Sequence, residues 1–140
     1  MFLWELEELL ELSWDKETSV DENWSSDNSS LGQCAVTALV VNDYFGGKIM
    51  RCMASTGSHY YNEIDGELID LTASQFGDEA PQYELGEERT REYLLSNENT
   101  KERYLKLSQN VKDNIKLKED LESVVLKKIK TILNKYKGKI

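Results

Sequence analysis

The chain has 140 residues, a formal charge of −9, one histidine and two cysteines, which bounds it to one domain able to bury about two thirds of its unfolded surface. The charge is uneven: residues 1–100 hold 5 Lys/Arg against 21 Asp/Glu, while residues 101–140 hold 12 against 5. Nucleic-acid binding through a general basic field is thereby excluded for the acidic body.

Leu3, Leu6, Leu9, Leu10 and Trp14 recur at helical spacing and predict an amphipathic first helix that covers the core. Glu5, Glu7, Glu8 and Glu11 interrupt its apolar run and no basic residue precedes it, so neither a signal peptide nor a transmembrane segment is expected. A cytoplasmic protein with reduced Cys34 and Cys52 follows from that expectation. Residues 18–29 are rich in Asp, Asn and Ser and predict a loop, whose one large apolar residue, Trp24, either lines a pocket or anchors the loop.

Residues 30–45 predict the central buried helix. Ser30 and Gln33 have the spacing of a capping box, apolar residues run almost all the way round, and Gly46-Gly47 stops the run. Cys34 then lies in the first turn, where unpaired N–H groups and the positive end of the helix dipole favour a thiolate and can hold an oxyanion. A plain buried cysteine is the competing reading.

Three antiparallel strands are expected next, at residues 48–54, 58–64 and 67–71, the last two joined by the hairpin signal Asp65-Gly66. A two-residue loop there sets Ile64 opposite Glu67, Tyr61 opposite Asp70 and His59 opposite Thr72. Residues two apart share a face, so His59, Tyr61, Asp70 and Thr72 project from one side and His59 and Asp70 become diagonal neighbours. Residues 72–76 predict a tight turn carrying an aromatic core residue, residues 77–86 a loop, and residues 87–95 a short helix. A longer helix is capped by Asn97 or Asn99 and begins near Thr100, with Tyr104, Leu105, Leu107 and Val111 inward. The composition then divides the chain into a single α+β domain, residues 1–112, and a basic amphipathic helical extension, residues 113–140. That extension is either a solvated helix packed on the acidic body or a surface for a protein partner or membrane.

A nucleophilic cysteine needs a base, and the base needs an orienting partner; Cys34, His59 and Asp70 supply those roles. Their arrangement, a cysteine at a helix start with His and Asp on adjacent strands, resembles that of papain-like and transglutaminase-like enzymes. A more specific resemblance lies in Trp24-Ser25, Asn28, the run from Gly32 to Val41, Gly46-Gly47, Ser58 to Asn62, Asp70-Leu71-Thr72 and Gln75-Phe76. In order and spacing these resemble the YunG-like family of small bacterial proteins over residues 20–110. More distantly, Gly32-Gln33-Cys34 is similar to the nucleophile motif of transglutaminase-like proteins, although Ala35 stands where many of those have tryptophan and Ser29 where YunG-like sequences have proline. The resemblances imply a papain/transglutaminase-like α+β core.

The reading that follows is a cysteine hydrolase or acyl/amide transferase acting on a small-molecule or peptide amide, ester or thioester. Cys34 is its nucleophile, His59 its base and acid, Asp70 the orienting group, and Gln33, Trp24 and Tyr61 the substrate or oxyanion contacts. No cofactor is needed for this chemistry. The alternative is a non-catalytic binding or regulatory protein that uses residues 113–140 for a partner. Metal binding through Cys34, Cys52, His59 and Asp70 has no paired-ligand spacing to support it.

Overall fold

The computed structural model describes residues 1–139. Helix α1 (Leu3–Ser13) leads through a long loop to α2 (Cys34–Phe45), followed by strands β1 (Lys48–Ala54), β2 (Gly57–Ile64) and β3 (Glu67–Ile69). After two 3₁₀ turns (Ala73–Phe76 and Tyr83–Leu85) come β4 (Glu87–Arg89), α3 (Arg91–Leu95) and α4 (Glu98–Tyr136). The architecture is α+β, with a four-stranded antiparallel sheet of order β3-β2-β1-β4.

Helix α2 is enclosed because its apolar residues point both ways. Val36, Val40 and Val41 pack with Leu6 and Leu10 of α1, with Trp14 just after it, and with Leu107 and Val111 of α4, while Ala38 and Leu39 pack with Ile49 of β1 and Leu94 of α3. Its last turn is more open, with Tyr44 exposed. Two buried hydrogen bonds fix α2 from either side: Trp14 Nε1 donates to Thr37 Oγ1 (2.9 Å), and Asn62 Nδ2 of β2 donates to the Ala38 carbonyl (3.0 Å).

The predicted capping box does not form. Helix α2 starts at Cys34, with Gln33 as its N-cap and no side-chain cap bond. The Ser30 hydroxyl is engaged with Ser74 Oγ (2.9 Å) and the Gln33 amide donates to the Asp15 carbonyl (3.1 Å), so tertiary partners win both groups from the helix end. Residues 87–95 are also not one helix. Glu87–Arg89 instead pairs with β1 (Ile49 opposite Arg89, Arg51 opposite Glu87), and only Arg91–Leu95 is helical. The free edge of β1 decides the conformation of a segment whose own residues favour no strand, and the charged side chains suit a sheet edge.

The hairpin follows its expected register. Asp65 (φ 51°) and Gly66 (φ 79°) turn with two positive φ angles, as a type I′ turn requires, and Ile64 faces Glu67. Asn97 caps α4 by accepting from the Thr100 N–H (3.0 Å). The helix then runs 39 residues without a break, roughly 58 Å. The change of composition at Asp113 falls inside it, and every described residue beyond Lys118 is exposed. No helix among the described residues is long and apolar enough to cross a membrane.

Candidate active site

Cys34 is the first residue of α2 and is partly exposed. Gly32 sets its approach: φ is +70°, and a Cβ there would lie 2.7 Å from the Asp21 backbone nitrogen and overlap the Ser19 hydroxyl. Only glycine lets the two loop segments pass so closely. The segment before Cys34 is further tied to the first 3₁₀ turn, where Gln75 Oε1 accepts from the Gly32 N–H (3.3 Å).

His59, from the middle of β2, is 1 % exposed. Its Nε2 lies 2.6 Å from Asp70 Oδ2, with the Asp70 side chain 3 % exposed. The chain leaves β3 just before Asp70 and turns back through the Thr72 N–H (3.2 Å) and hydroxyl (3.3 Å), both donated to Asp70 Oδ1. Tyr83 donates its hydroxyl to Oδ2 at 2.6 Å, so this carboxylate accepts four hydrogen bonds. Phe76 stands edge-on to the imidazole (4.8 Å, 88°) and Tyr61 lies nearly parallel to it (6.3 Å, 14°).

Burial pulls the imidazole down, but the Asp70 hydrogen bond, the neighbouring Cys34 thiol and the Asp70 charge outweigh it and raise the ring from 6.5 to about 9. The Cys34 thiol contributes to that rise. His59 Nδ1 has no hydrogen-bond partner among the described residues. Since Asp70 occupies Nε2, Nδ1 is the ring nitrogen left for the thiol. Burial followed by the Asp70 hydrogen bond pushes the Tyr83 phenol well above its ordinary value, so it stays a donor to Asp70.

Two clefts open on Cys34. One, about 470 Å³, is bounded by Asp21, Leu31, Gly32, Ser58, His59 and Phe76. The other, about 400 Å³, is bounded by Ser58, Tyr60, Tyr93, Asn97, Thr100 and Arg103. A larger groove of about 610 Å³ lies elsewhere, between α1 and the middle of α4, and contains none of these residues.

Of the residues expected at the site, Cys34, His59 and Asp70 come together. The other three are spent on structure. Trp24 lines neither cleft and donates Nε1 to the Ser29 carbonyl (2.8 Å), anchoring its loop. Tyr61 is 5 % exposed and backs His59, its hydroxyl donating to the Tyr83 carbonyl (3.3 Å). Gln33 is fully buried, and its Oε1 has no partner among the described residues. Sequence reasoning missed Tyr83 and Arg103. Tyr83 sits in a segment without periodicity, and Arg103 is marked by nothing except a position on the inner face of α4, four residues before Leu107. No group of three or more His, Cys, Asp or Glu among the described residues could hold a metal ion.

The fold and site thus define a small α+β protein with a cysteine at a helix start facing a buried His-Asp pair. The family model described as YunG protein matches residues 3–116, and the chain belongs to that family. It is similar to a Bacillus subtilis (strain 168) protein described as Uncharacterized protein YunG, with 36% identity over 90 residues, 64% of this chain and 76% of the relative. No solved structure matches. The comparisons carry the YunG-like resemblance and leave the transglutaminase-like one without support.

Proposed function

We propose that the protein is a cysteine-dependent hydrolase or acyl/amide transferase centred on Cys34. The observation that carries the reading is the buried His59-Asp70 pair, 2.6 Å apart, with the other imidazole nitrogen unpartnered beside a cysteine at the mouth of two clefts. The Cys34 thiolate attacks the carbonyl carbon of an amide, ester or thioester, forming a C–S bond while the carbonyl π electrons move to oxygen. The Cys34 backbone N–H, in the first turn and outside the helical ladder, donates to that oxyanion. Collapse restores the carbonyl and breaks the bond to the leaving group, which takes a proton from His59. Water or another acceptor, deprotonated by His59, then attacks the thioester and returns the thiol. Asp70 holds the ring orientation throughout, and Tyr83 and Thr72 hold Asp70. Both cysteines are free, which suits a reducing compartment such as the cytoplasm.

Alkylation of Cys34 with iodoacetamide as a function of pH tests this. At neutral pH the rate should fall at least about tenfold in His59→Ala. His59→Gln, which can keep a hydrogen bond to Asp70, guards against loss of the fold, checked by circular dichroism. Slow alkylation in the wild-type protein, or a profile unchanged in both variants, refutes the proposal.

A further inference from the structure

Arg103 is 8 % exposed, yet every partner it has is neutral. Its Nε donates to Asn99 Oδ1 (2.8 Å), one terminal nitrogen to the Thr18 carbonyl (3.2 Å) and the other to Thr100 Oγ1 (3.4 Å). The ion pairs found among the described residues do not include it. A guanidinium carries five N–H groups and does not deprotonate in a protein, so two N–H groups and a full charge remain to be answered. Burial pulls this group down, and the nearby Cys34 acts against that. A buried, hydrogen-bonded cation without a counter-ion is costly unless something supplies the anion. Arg103 also lines the cleft onto which Cys34 opens, beside Thr100 and Asn97 at the start of α4.

The geometry points to Arg103 as the recognition residue for a carboxylate on the substrate, placed near the carbonyl that Cys34 attacks. Arginine presents the planar fork that pairs with a carboxylate, and the positive end of α4 adds to the attraction. This assignment rests on the proposed reactivity of Cys34 and adds the class of substrate to it. The probes are two alkylating agents of the same shape, iodoacetate and iodoacetamide, applied to the full chain, with Cys34→Ala reporting the background from Cys52. In Arg103→Met the rate with iodoacetate should drop about tenfold or more. The iodoacetamide rate should stay within about threefold, and Arg103→Lys should restore part of the preference for the anion. Equal loss with both reagents would make Arg103 a support for the thiolate and overturn the assignment, as would an unchanged ratio. Absence of reaction with either reagent in the wild-type protein would instead sink the nucleophile reading itself.

An independent observation concerns the distal half of α4. Leu117, Leu121, Val125, Ile129, Ile132 and Tyr136 lie along one face and are 46–57 % exposed. From Ser123 onward the chain has six lysines and no acid, whereas α1 has four glutamates and no basic residue. Within one chain the lysine-rich end projects beyond α1, and Lys118 with Glu5 (3.4 Å) is the ion pair joining the two helices. We propose that the occupant of this face is a second copy of the chain, paired antiparallel through α4 about a two-fold axis near Ser123. That arrangement lays the lysine-rich end of each α4 along the glutamate face of the partner's α1 and fills the apolar groove between α1 and α4. A parallel pair would set lysines against lysines. Sedimentation equilibrium should give a dimer that Ile129→Glu converts to a monomer of unchanged helicity per residue. Spin labels on Lys137→Cys, in a background of Cys34→Ala and Cys52→Ala, should lie roughly 40 Å apart in the dimer. A wild-type monomer, a dimer indifferent to Ile129→Glu, or labels in close contact would each overturn the pairing. So would a monomer that binds anionic phospholipid vesicles through this face.

Discussion

Asp70→Ala will destabilise the protein by about 3–5 kcal/mol, as removal of one partner from a buried ion pair does. The loss is larger than that of a surface pair because four donors lose their acceptor together: His59 Nε2, the Tyr83 hydroxyl, and the N–H and hydroxyl of Thr72. Two of those groups, His59 and Thr72, are 1 % exposed and have no water to turn to. Urea unfolding of the variant should show a lower midpoint with an unchanged slope. The wild-type protein should show a linked pH dependence. The His59 proton is held more tightly in the folded state, at about 9 against 6.5. Its contribution is therefore fully present below about 6.5 and is lost as pH rises through about 9. The unfolding midpoint should fall across that interval, and Asp70→Asn, which removes the charge and keeps the shape, should flatten the fall. A wild-type midpoint that rises between those values would contradict the pairing of His59 with Asp70.

Leu107→Ala will cost about 2–5 kcal/mol, the range for truncating a fully buried leucine. Leu107 has no exposed surface and belongs to the cluster in which α1, α2 and α4 meet, with Leu6, Leu10, Val36 and Val40. The surrounding residues come from three helices packed on different sides, so the site cannot close by shifting one of them. Denaturant unfolding followed by far-ultraviolet circular dichroism and by tryptophan fluorescence should report the same shifted midpoint, because Trp14 shares the cluster. A shift below about 1 kcal/mol would mean that α4 is not an integral part of the core.

Much of this fold was legible in the sequence because the deciding interactions are local. Asp65-Gly66 specifies its turn, and the turn sets Ile64 opposite Glu67 as expected. Asp70 itself lies one residue past β3, and Thr72 and Tyr83, not the strand register, hold its carboxylate at His59. Leu6, Leu10, Leu107 and Val111 announce their burial by helical spacing. What escaped was settled over long distances. Ser30 and Gln33 have the spacing of a cap but are taken by Ser74 and Asp15. Glu87 to Arg89 looks helical by composition and becomes a strand because β1 has an unpaired edge. Arg103 reads as an ordinary polar helix residue until the Thr18 carbonyl, 85 positions away in the sequence, is found beside it. Tyr83 reaches Asp70 from a turn with no periodic signal at all.

The unbroken course of α4 has a mechanical consequence. Tyr104, Leu107, Val111 and Ile115 pack on the core, and Asn110, Asn114 and Lys118 bond to α1 and to Asp15 just after it. The helix is thereby clamped over about four turns at one end, while Glu119 to Tyr136 extend roughly 27 Å beyond the clamp with every residue exposed. The distal end of α4 is thus a cantilever that takes its direction from the core and from no contact of its own among the described residues.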